Sequence, residues 1–310
     1  MATTDRLLRG AFTALVTPFT ADGAVDERRF RDFVEWQILA GIDGVVPCGT
    51  TGESPTLSHG ERDSVIDWAI DVVRAHSAGR HIPVIAGTGS NDTAATIAAT
   101  RRAAAAGADA ALVVTPYYNK PDQRMLESHY RAIADEGDLP IVVYNVPGRT
   151  AVNVEAATML RLAEHPRIVA VKEASANLDQ IQTIIRNRRA GFSVLAGDDS
   201  WTLTVMAHGG DGVISVASNE IPGAMAGLCA AARSGDWDEA RRLHERYLPL
   251  MRANFITVNP VPVKSALAAM GLIEDVVRQP LLPLIDPQRG QLMDILREAG
   301  LVAPVAGVAR

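Results

Sequence analysis

The hydrophobic pattern of the chain alternates between two periods. Short apolar runs rich in β-branched residues are typical of buried strands, and longer runs with apolar residues three and four apart are typical of helices. The short runs predict eight strands: Phe12–Val16, Gly44–Pro47, Pro83–Ala86, Ala110–Val114, Ile141–Tyr144, Ile168–Lys172, Ser193–Ala196 and Gly212–Ser215. The longer runs between them predict helices, among them Glu27–Leu39, Glu61–Ala75, Thr93–Ala106 and Leu178–Arg188.

A strand followed by a helix, repeated eight times, is the pattern of a (β/α)8 TIM barrel. A doubly wound open sheet is the alternative, but no Gly-x-Gly-x-x-Gly motif follows the first strand. We therefore predict a catalytic α/β barrel over residues 1–232 and a C-terminal helical extension over residues 233–310. In that extension the pattern predicts helices over Trp237–Met251, Pro262–Met270 and Gln288–Ala299, and it has no periodic signal over Leu301–Arg310.

Composition narrows the class of protein. Of the 310 residues, 47% are hydrophobic and 21% are charged, which suits a folded domain rather than a disordered chain. The net charge of −6 gives no basic surface for nucleic acid, and no apolar stretch is long enough to cross a membrane. Cys48 and Cys229 form neither a metal motif nor a disulfide framework, so we expect a reduced, cytoplasmic location.

Lysine is rare in this sequence. Three of the 30 basic side chains are lysines, at positions 120, 172 and 264, and all the others are arginines. Unlike arginine, a lysine can lose its proton and form an imine. We therefore expect lysine to stand where a primary amine is needed.

Active sites of (β/α)8 barrels lie at the carboxyl ends of the strands. Polar and reactive side chains follow five predicted strands, in the segments Cys48–Ser54, Thr115–Asn119, Tyr144–Thr150, Val171–Glu173 and Gly197–Asp199. Lys172 ends a run apolar enough to be buried, and burial favours the neutral amine that attacks carbonyl carbons. A lysine that only reaches from the strand end to water is the alternative.

Other side chains at these ends suggest what binds there. Tyr117, Tyr118 and Tyr144 can relay protons, and at most one of the two consecutive tyrosines can face the barrel centre. The turn Gly49–Gly52 offers hydroxyl and N–H groups to a carboxylate or phosphate, and Arg149 can hold a carboxylate with two hydrogen bonds. An ordinary structural role is the alternative for each of them.

Metal chemistry has little support in the sequence. None of the seven histidines shows H-x-H or H-E-x-x-H spacing. The pair Asp198 and Asp199 follows the seventh strand without a nearby histidine, so we expect it to cap the next helix, from Trp201, rather than to hold a cation.

Seven segments, read together, resemble the dihydrodipicolinate synthase / N-acetylneuraminate lyase family of pyruvate-dependent class I aldolases. The resemblance runs from about Gly10 to Gly271 and rests on GTTGES, TPYYNKP, YNVPGRT, VKEAS, AGDD, GVIS and NPVPVKSAL. It implies a barrel enzyme without a cofactor, assembled as a homotetramer from tight dimers. YNVPGRT looks most like the branch that condenses pyruvate with L-aspartate 4-semialdehyde on the way to lysine.

The resemblance also implies roles for single residues. Lys172 matches the Schiff-base lysine of the family, and Tyr144 matches the tyrosine that shuttles protons during condensation. Thr50 and Tyr118 match the other members of that proton relay. Tyr118 would reach across the dimer interface into the site of the neighbouring subunit.

Five residues match substrate-binding positions of the family. Thr50 and Thr51 would receive the pyruvate carboxylate, and Arg149 would bind the carboxylate of aspartate semialdehyde. The backbone at Gly197 and Ile214 would line the site.

Feedback by lysine is a further property of some family members. Four positions of this chain match their effector site, namely Ser54, His59, Asn91 and Tyr117. Ala95, however, replaces their glutamate, and Arg62 replaces the histidine that many carry. Without the acid, the ammonium group of the effector loses its partner, and the arginine repels it. We expect weak or absent inhibition.

Two other functions stay open on the sequence alone. A sister aldolase or dehydratase acting on a sugar acid or 2-keto acid, similar to N-acetylneuraminate lyase, would share the imine chemistry; Arg149 disfavours it, since sialic-acid lyases usually lack an arginine in this loop. A non-catalytic barrel that binds keto acids is the second. The joint presence of Lys172, Tyr144, Tyr118 and Thr50 argues against it.

Overall fold

A barrel of eight parallel strands forms the centre of the computed structural model, which describes residues 8–303. The strands are β1 (Gly10–Ala14), β2 (Gly44–Val46), β3 (Ile85–Gly87), β4 (Ala110–Val114), β5 (Ile141–Asn145), β6 (Ile168–Glu173), β7 (Ser193–Ala196) and β8 (Gly212–Ser215). Their order is β2-β1-β8-β7-β6-β5-β4-β3. Between β2 and β3, a parallel bridge joins Val45 to Val84 and brings the two edges together. The predicted (β/α)8 fold is confirmed.

Helices surround the barrel and connect successive strands. They are α1 (Glu27–Leu39), α2 (His59–His76), α3 (Thr93–Ala106), α4 (Gln123–Glu136), α5 (Pro147–Thr150), α6 (Ala156–Ala163), α7 (Leu178–Asn187), α8 (Thr202–Ala207) and α9 (Pro222–Ser234). Side chains cap several of their N-termini, including Asp26, Ser58, Asp92, Asp122 and Asn177. Because each of these caps accepts from the first-turn backbone, it fixes where a strand-to-helix loop ends.

Two hydrophobic cores lie on the two faces of the strands. The inner core fills the barrel with side chains such as Phe12, Val142, Ala170, Leu195 and Ile214, and a larger outer core packs the strands against the helices. Side chains alternate between the faces of a strand. Lys172 therefore shares the inner face of β6 with Ala170, whereas Glu173 points outward.

Three further helices follow the barrel: α10 (Trp237–Ala253), α11 (Val261–Ala269) and α12 (Asp286–Glu298). Helix α10 packs against α9, and α12 packs against both α10 and α11. The segment from Asn254 to Pro260 joins α10 to α11 and brings Phe255 and Asn259 to the carboxyl end of the barrel. The predicted domain boundary at residue 232 falls inside α9 and stays a prediction.

The predicted element ends coincide with the observed ones or differ from them by at most two residues. Strand β1 ends at Ala14 rather than Val16, whose N–H donates to the Asn219 side chain instead of to a strand. Helix α2 begins at His59 rather than Glu61, because the Ser58 hydroxyl accepts from the Glu61 N–H.

Residues 304–310 of the predicted C-terminal tail lie outside the described residues. Among residues 8–303, no helix is both long enough and apolar enough to span a bilayer.

Candidate active site

A cavity of about 130 Å³ opens at the carboxyl end of the barrel. Its walls come from the loops after β2, β5, β6, β7 and β8 and from the segment that precedes α11. Six of the eight predicted catalytic and substrate-binding residues line it: Thr50, Thr51, Tyr144, Arg149, Lys172 and Gly197. The fold thus collects at one point side chains that are far apart along the chain.

Lys172 is buried at the floor of this cavity, with 4% of its surface exposed. It lies on β6 between Tyr144 of β5 and Leu195 of β7, its register partners. Its Nζ atom lies 4.3 Å from the centroid of the Tyr144 ring. Within residues 8–303 no carboxylate lies within salt-bridge distance of it. The amine therefore faces an aromatic ring and the cavity rather than a counter-ion.

Tyr144 is held in place through its backbone. Its carbonyl accepts hydrogen bonds from the N–H of Thr115 at 3.0 Å and from the Thr115 hydroxyl at 2.9 Å. Tyr144 and Thr50 also line a second, smaller cavity of about 40 Å³ beside the first. Both residues consequently stand in the wall that the two cavities share.

The loop after β2 makes a tight turn over the end of β3. Gly52 N–H donates to the Gly49 carbonyl at 3.2 Å, and a Cβ atom on Gly87 would approach the Cys48 carbonyl to 2.1 Å. Glycine at position 87 is therefore required for this close approach. The turn leaves Thr51 buried and Thr50 half-buried at the cavity wall.

Asn259 is a cavity residue that the sequence reasoning missed. Its Nδ2 atom donates to the Thr51 hydroxyl at 3.0 Å, and the two residues are 208 positions apart. Its Oδ1 atom is buried without a hydrogen-bond partner in the described part of the chain. Asn259 belongs to the NPVPVKSAL segment, but nothing local predicts that this segment reaches the barrel mouth.

Arg149 lies on α5, a single turn at the rim of the cavity, and is exposed. The loop that carries it is tied at its base by Asn145. The Asn145 side chain donates to Asn153 Oδ1 and accepts from the Val154 N–H, both at 2.9 Å. Glu173 accepts from Asn145 in turn, and burial raises the pKa of its carboxyl group. The guanidinium is thus exposed at the cavity rim, on a loop whose base is held by buried hydrogen bonds.

Gly197 and the acidic pair after it shape the wall beyond β7. A Cβ atom on Gly197 would lie 2.7 Å from the Cβ atom of Ala174, so only glycine fits. Asp198 accepts from the Ser200 N–H and caps the short turn Asp199–Trp201 rather than the predicted helix, because α8 begins at Thr202 and has no side-chain cap. Asp199 does not cap that turn: it accepts from the N–H groups of Val216 and Ala217 after β8, and burial raises its pKa to about 6. For Asp199 the capping prediction is therefore corrected.

A model of the Dihydrodipicolinate synthetase family matches residues 7–299. The chain belongs to this family. The predicted resemblance and the assignment as an enzyme of this aldolase type are confirmed.

Relatives from this family match the chain over nearly its whole length. It is 50% identical over 296 residues to 4-hydroxy-tetrahydrodipicolinate synthase of Koribacter versatilis, covering 95% of this chain and 97% of that protein. The structure of chloride-inhibited dihydrodipicolinate synthase from Acinetobacter baumannii, complexed with pyruvate, is 43% identical with a TM-score of 0.91 and covers 95% and 99% of the two chains. The enzyme from Cyanidioschyzon merolae with lysine bound is 40% identical with a TM-score of 0.91 and the same coverage.

Two of the family positions lie away from the cavity of a single chain. Tyr118 is 90% exposed, in a loop beyond the end of β4, with a left-handed φ of 74°. Tyr117 is also exposed, so neither of the consecutive tyrosines faces the barrel centre. Ile214 packs in the inner core on β8, and Val216 rather than Ile214 lines the cavity.

The positions that match the lysine site of sensitive family members lie near the same end of the barrel. Asn91 donates from its side chain to the Tyr117 carbonyl at 3.2 Å. Ala95 is exposed on the first turn of α3, and Arg62 is half-buried on α2.

A larger open groove of about 700 Å³ lies outside the barrel, between α7 and His208. Among the described residues, its lining includes neither a lysine nor a tyrosine, and apart from His208 all of that lining belongs to helix α7 rather than to the strand ends where barrel chemistry occurs. The smaller cavity around Lys172 is therefore the candidate active site.

Proposed function

We propose that this chain is a 4-hydroxy-tetrahydrodipicolinate synthase, which condenses pyruvate with L-aspartate 4-semialdehyde. The observation that carries the proposal is the amine of Lys172, buried beside the Tyr144 ring in the cavity at the strand ends. The names of the full-length relatives and the pyruvate complex of the Acinetobacter enzyme support the same reaction.

The first half of the reaction activates pyruvate. The neutral amine of Lys172 attacks the keto carbon, and loss of one water gives an imine. Once protonated, the imine nitrogen withdraws electrons, so that a methyl proton leaves and an enamine forms. Because the lysine itself supplies this electron sink, the proposed chemistry needs no cofactor.

The second half joins the two substrates. The enamine carbon attacks the aldehyde of L-aspartate 4-semialdehyde, and the new oxygen takes up a proton. The amine of the second substrate then displaces Lys172 from the imine carbon, which closes the ring and returns the free lysine. The products are 4-hydroxy-tetrahydrodipicolinate and the one water released earlier.

Tyr144 and Thr50 are the proposed proton carriers within one chain. Both lie in the wall between the two cavities at the strand ends, within reach of a ligand bound to Lys172. Tyr118 is the proposed third carrier and acts in the site of a neighbouring subunit. Its 90% exposure leaves it available to a partner chain.

The carboxylates of the two substrates need separate partners. We assign the pyruvate carboxylate to Thr50 and Thr51, on the loop that passes over the cavity, and the carboxylate of aspartate semialdehyde to Arg149 at the rim. The backbone at Gly197 is assigned to lining the site, whereas Ile214 packs in the inner core and Val216 takes its predicted place in the cavity wall. This arrangement puts the smaller substrate inside and the second substrate toward solvent.

A homotetramer of tight dimers, a cytoplasmic location and weak or absent lysine inhibition complete the proposal. Gel filtration of the active protein tests the assembly, since an active monomer contradicts the shared role of Tyr118.

An assay coupled to consumption of the product tests the reaction. We expect turnover with pyruvate and L-aspartate 4-semialdehyde, and none when N-acetylneuraminate is supplied as the substrate for cleavage. Cleavage of N-acetylneuraminate at a comparable rate would instead favour the sialic-acid branch of the family. Lack of turnover with both, together with tight pyruvate binding, would favour a non-catalytic barrel.

A further inference from the structure

Lys264 is a second buried lysine, and the proposed reaction does not use it. It lies on α11 with a fully buried side chain and is not part of the cavity wall. Its Nζ atom donates to Glu53 Oε1 at 2.6 Å and to the Thr17 carbonyl at 2.9 Å. The Glu53 side chain is 1% exposed, so the two charges form a buried ion pair.

This pair joins three segments around the cavity. Glu53 lies two residues after Thr51 on the loop that follows β2, and Lys264 lies five residues after Asn259. The third segment follows β1, where the Thr17 hydroxyl donates to the Gly52 carbonyl at 2.8 Å. The ion pair therefore links the loop after β2, which carries Thr51, to the start of α11, which follows Asn259.

Glu53 has partners for both carboxylate oxygens. Besides Lys264, the backbone N–H of Arg278 donates to Glu53 Oε2 at 2.9 Å. The Phe19 ring lies under both cations, with its centroid 4.0 Å from Lys264 Nζ and 4.4 Å from Arg278 Cζ. Burial lowers the pKa of Lys264 to about 8, and the negative charge of Glu53 opposes that shift.

The loop after β2 needs such an anchor because its backbone is strained. Cys48 and Glu53 both adopt left-handed φ angles, 58° and 53°, which side-chain-bearing residues rarely take. Strained backbone persists only where surrounding contacts hold it. The contacts of Glu53 stabilise its left-handed backbone conformation at one end of the turn.

We infer that Glu53 and Lys264 are positioning residues for the pyruvate carboxylate. Their ion pair holds the Thr50–Thr51 turn against Asn259, so that these groups face the cavity at a fixed spacing. Neither residue touches the substrate. This inference rests on the proposed function, because it assumes that the turn receives pyruvate.

A double variant, Lys264→Met with Glu53→Gln, tests the inference without leaving a single buried charge. Both replacements are close in length to the originals, and the glutamine keeps an oxygen that can accept from the Arg278 N–H. The measured quantity is the pyruvate concentration that gives half-maximal borohydride trapping on Lys172. We expect it to rise by about tenfold or more, because uniform binding of the carboxylate is lost.

The turnover number and the second substrate separate positioning from general damage. At saturating pyruvate we expect kcat to fall by less than about threefold, and the half-saturating concentration of aspartate semialdehyde to stay unchanged. Glu239→Gln, which breaks an exposed ion pair with Arg242 on α10, is the matched control and should behave as the wild type. If the double variant fails to fold, the single variant Glu53→Gln is measured instead, and the same rise in half-saturating pyruvate is expected.

Two results would overturn the inference. One is a folded variant with pyruvate half-saturation within about twofold of the wild type, and the other is an equal loss in all three parameters. Failure of the proposed function looks different in the wild type. A non-catalytic barrel would trap no pyruvate, and a sister aldolase would trap pyruvate without turning over L-aspartate 4-semialdehyde.

Discussion

The Nζ atom of Lys172 lies 4.3 Å from the centroid of the Tyr144 ring, and the two residues are partners on adjacent strands of the barrel. Both point into the barrel interior, and both are more than nine-tenths buried. The ring therefore shields the amine from bulk water, and Tyr144 also lines the candidate cavity. This relationship separates the packing role of Tyr144 from its proposed role in proton transfer.

Replacing Tyr144 by phenylalanine tests that separation. Tyr144→Phe keeps the ring against Lys172 and removes only the hydroxyl. We expect kcat to fall by about 10²- to 10⁴-fold, the range typical of a lost acid–base group, with the thermal midpoint almost unchanged. Steady-state assays and thermal unfolding measure the two quantities. A variant that retains a third of the wild-type turnover would remove Tyr144 from the proton relay.

Replacement of Arg149 should weaken binding of aspartate semialdehyde and leave pyruvate binding unchanged. For Arg149→Ala we expect the half-saturating concentration of aspartate semialdehyde to rise by about 10- to 100-fold, as for loss of hydrogen bonds to a charged group. Pyruvate trapping on Lys172 should not change. Arg149→Lys is the matched variant: it keeps the charge without the two-pronged geometry and should recover only part of the loss. Equal effects on both substrates would contradict the assignment.

Ala95 and Arg62 predict resistance to lysine. We expect the wild-type protein to keep most of its activity in millimolar lysine. The double variant Ala95→Glu with Arg62→His restores the acid and removes the repelling cation, and it should become more sensitive. Inhibition curves for both proteins provide the test, with the exposed Glu239→Gln variant as control. Strong inhibition of the wild type would overturn the expectation.

Glu220 should make stability depend on pH. It is fully buried beside Asn254, whose Nδ2 atom donates to Glu220 Oε2 at 2.7 Å, and burial raises its pKa well above the ordinary value of 4.5. Folding thus favours the protonated acid. Its contribution to stability is complete below pH 4.5 and is lost as the pH rises through the higher pKa of the folded state.

Glu220→Gln removes that dependence while keeping the shape. The buried Glu220 Oε1 and Asn254 Oδ1 atoms have no hydrogen-bond partner in the described part of the chain, and a glutamine amide can donate there. We expect the variant to gain stability relative to the wild type as the pH increases from about 5 to 9. Thermal unfolding at a series of pH values measures the difference. A constant difference would show that Glu220 does not titrate in this range.

Local signals were sufficient for the barrel and for most of the site. Each strand is a short apolar run, and Lys172 is the penultimate residue of β6, so its inward position follows from strand alternation once the fold is known. Tyr144 is the last residue of a predicted strand, and Thr50 and Arg149 come shortly after predicted strands, at the end of the barrel where the cavity lies.

What the sequence could not predict depends on contacts between distant segments. Asn259 meets Thr51 across 208 residues, and Lys264 meets Glu53 across 211. Both partners come from the helical extension, whose periodicity says that it is helical but not where it docks. Asp199 was misassigned for the same reason, since its partners Val216 and Ala217 belong to the next strand-to-helix loop.

Borohydride trapping with pyruvate, followed by mass mapping of the peptides, tests the central claim most directly. The account predicts one adduct, on Lys172, and none on the exposed Lys120 or on the ion-paired Lys264. Lys172→Arg should fold and form no adduct, because arginine cannot make the imine. An unmodified Lys172 in the wild-type protein, or an adduct on either other lysine in its place, would contradict the account.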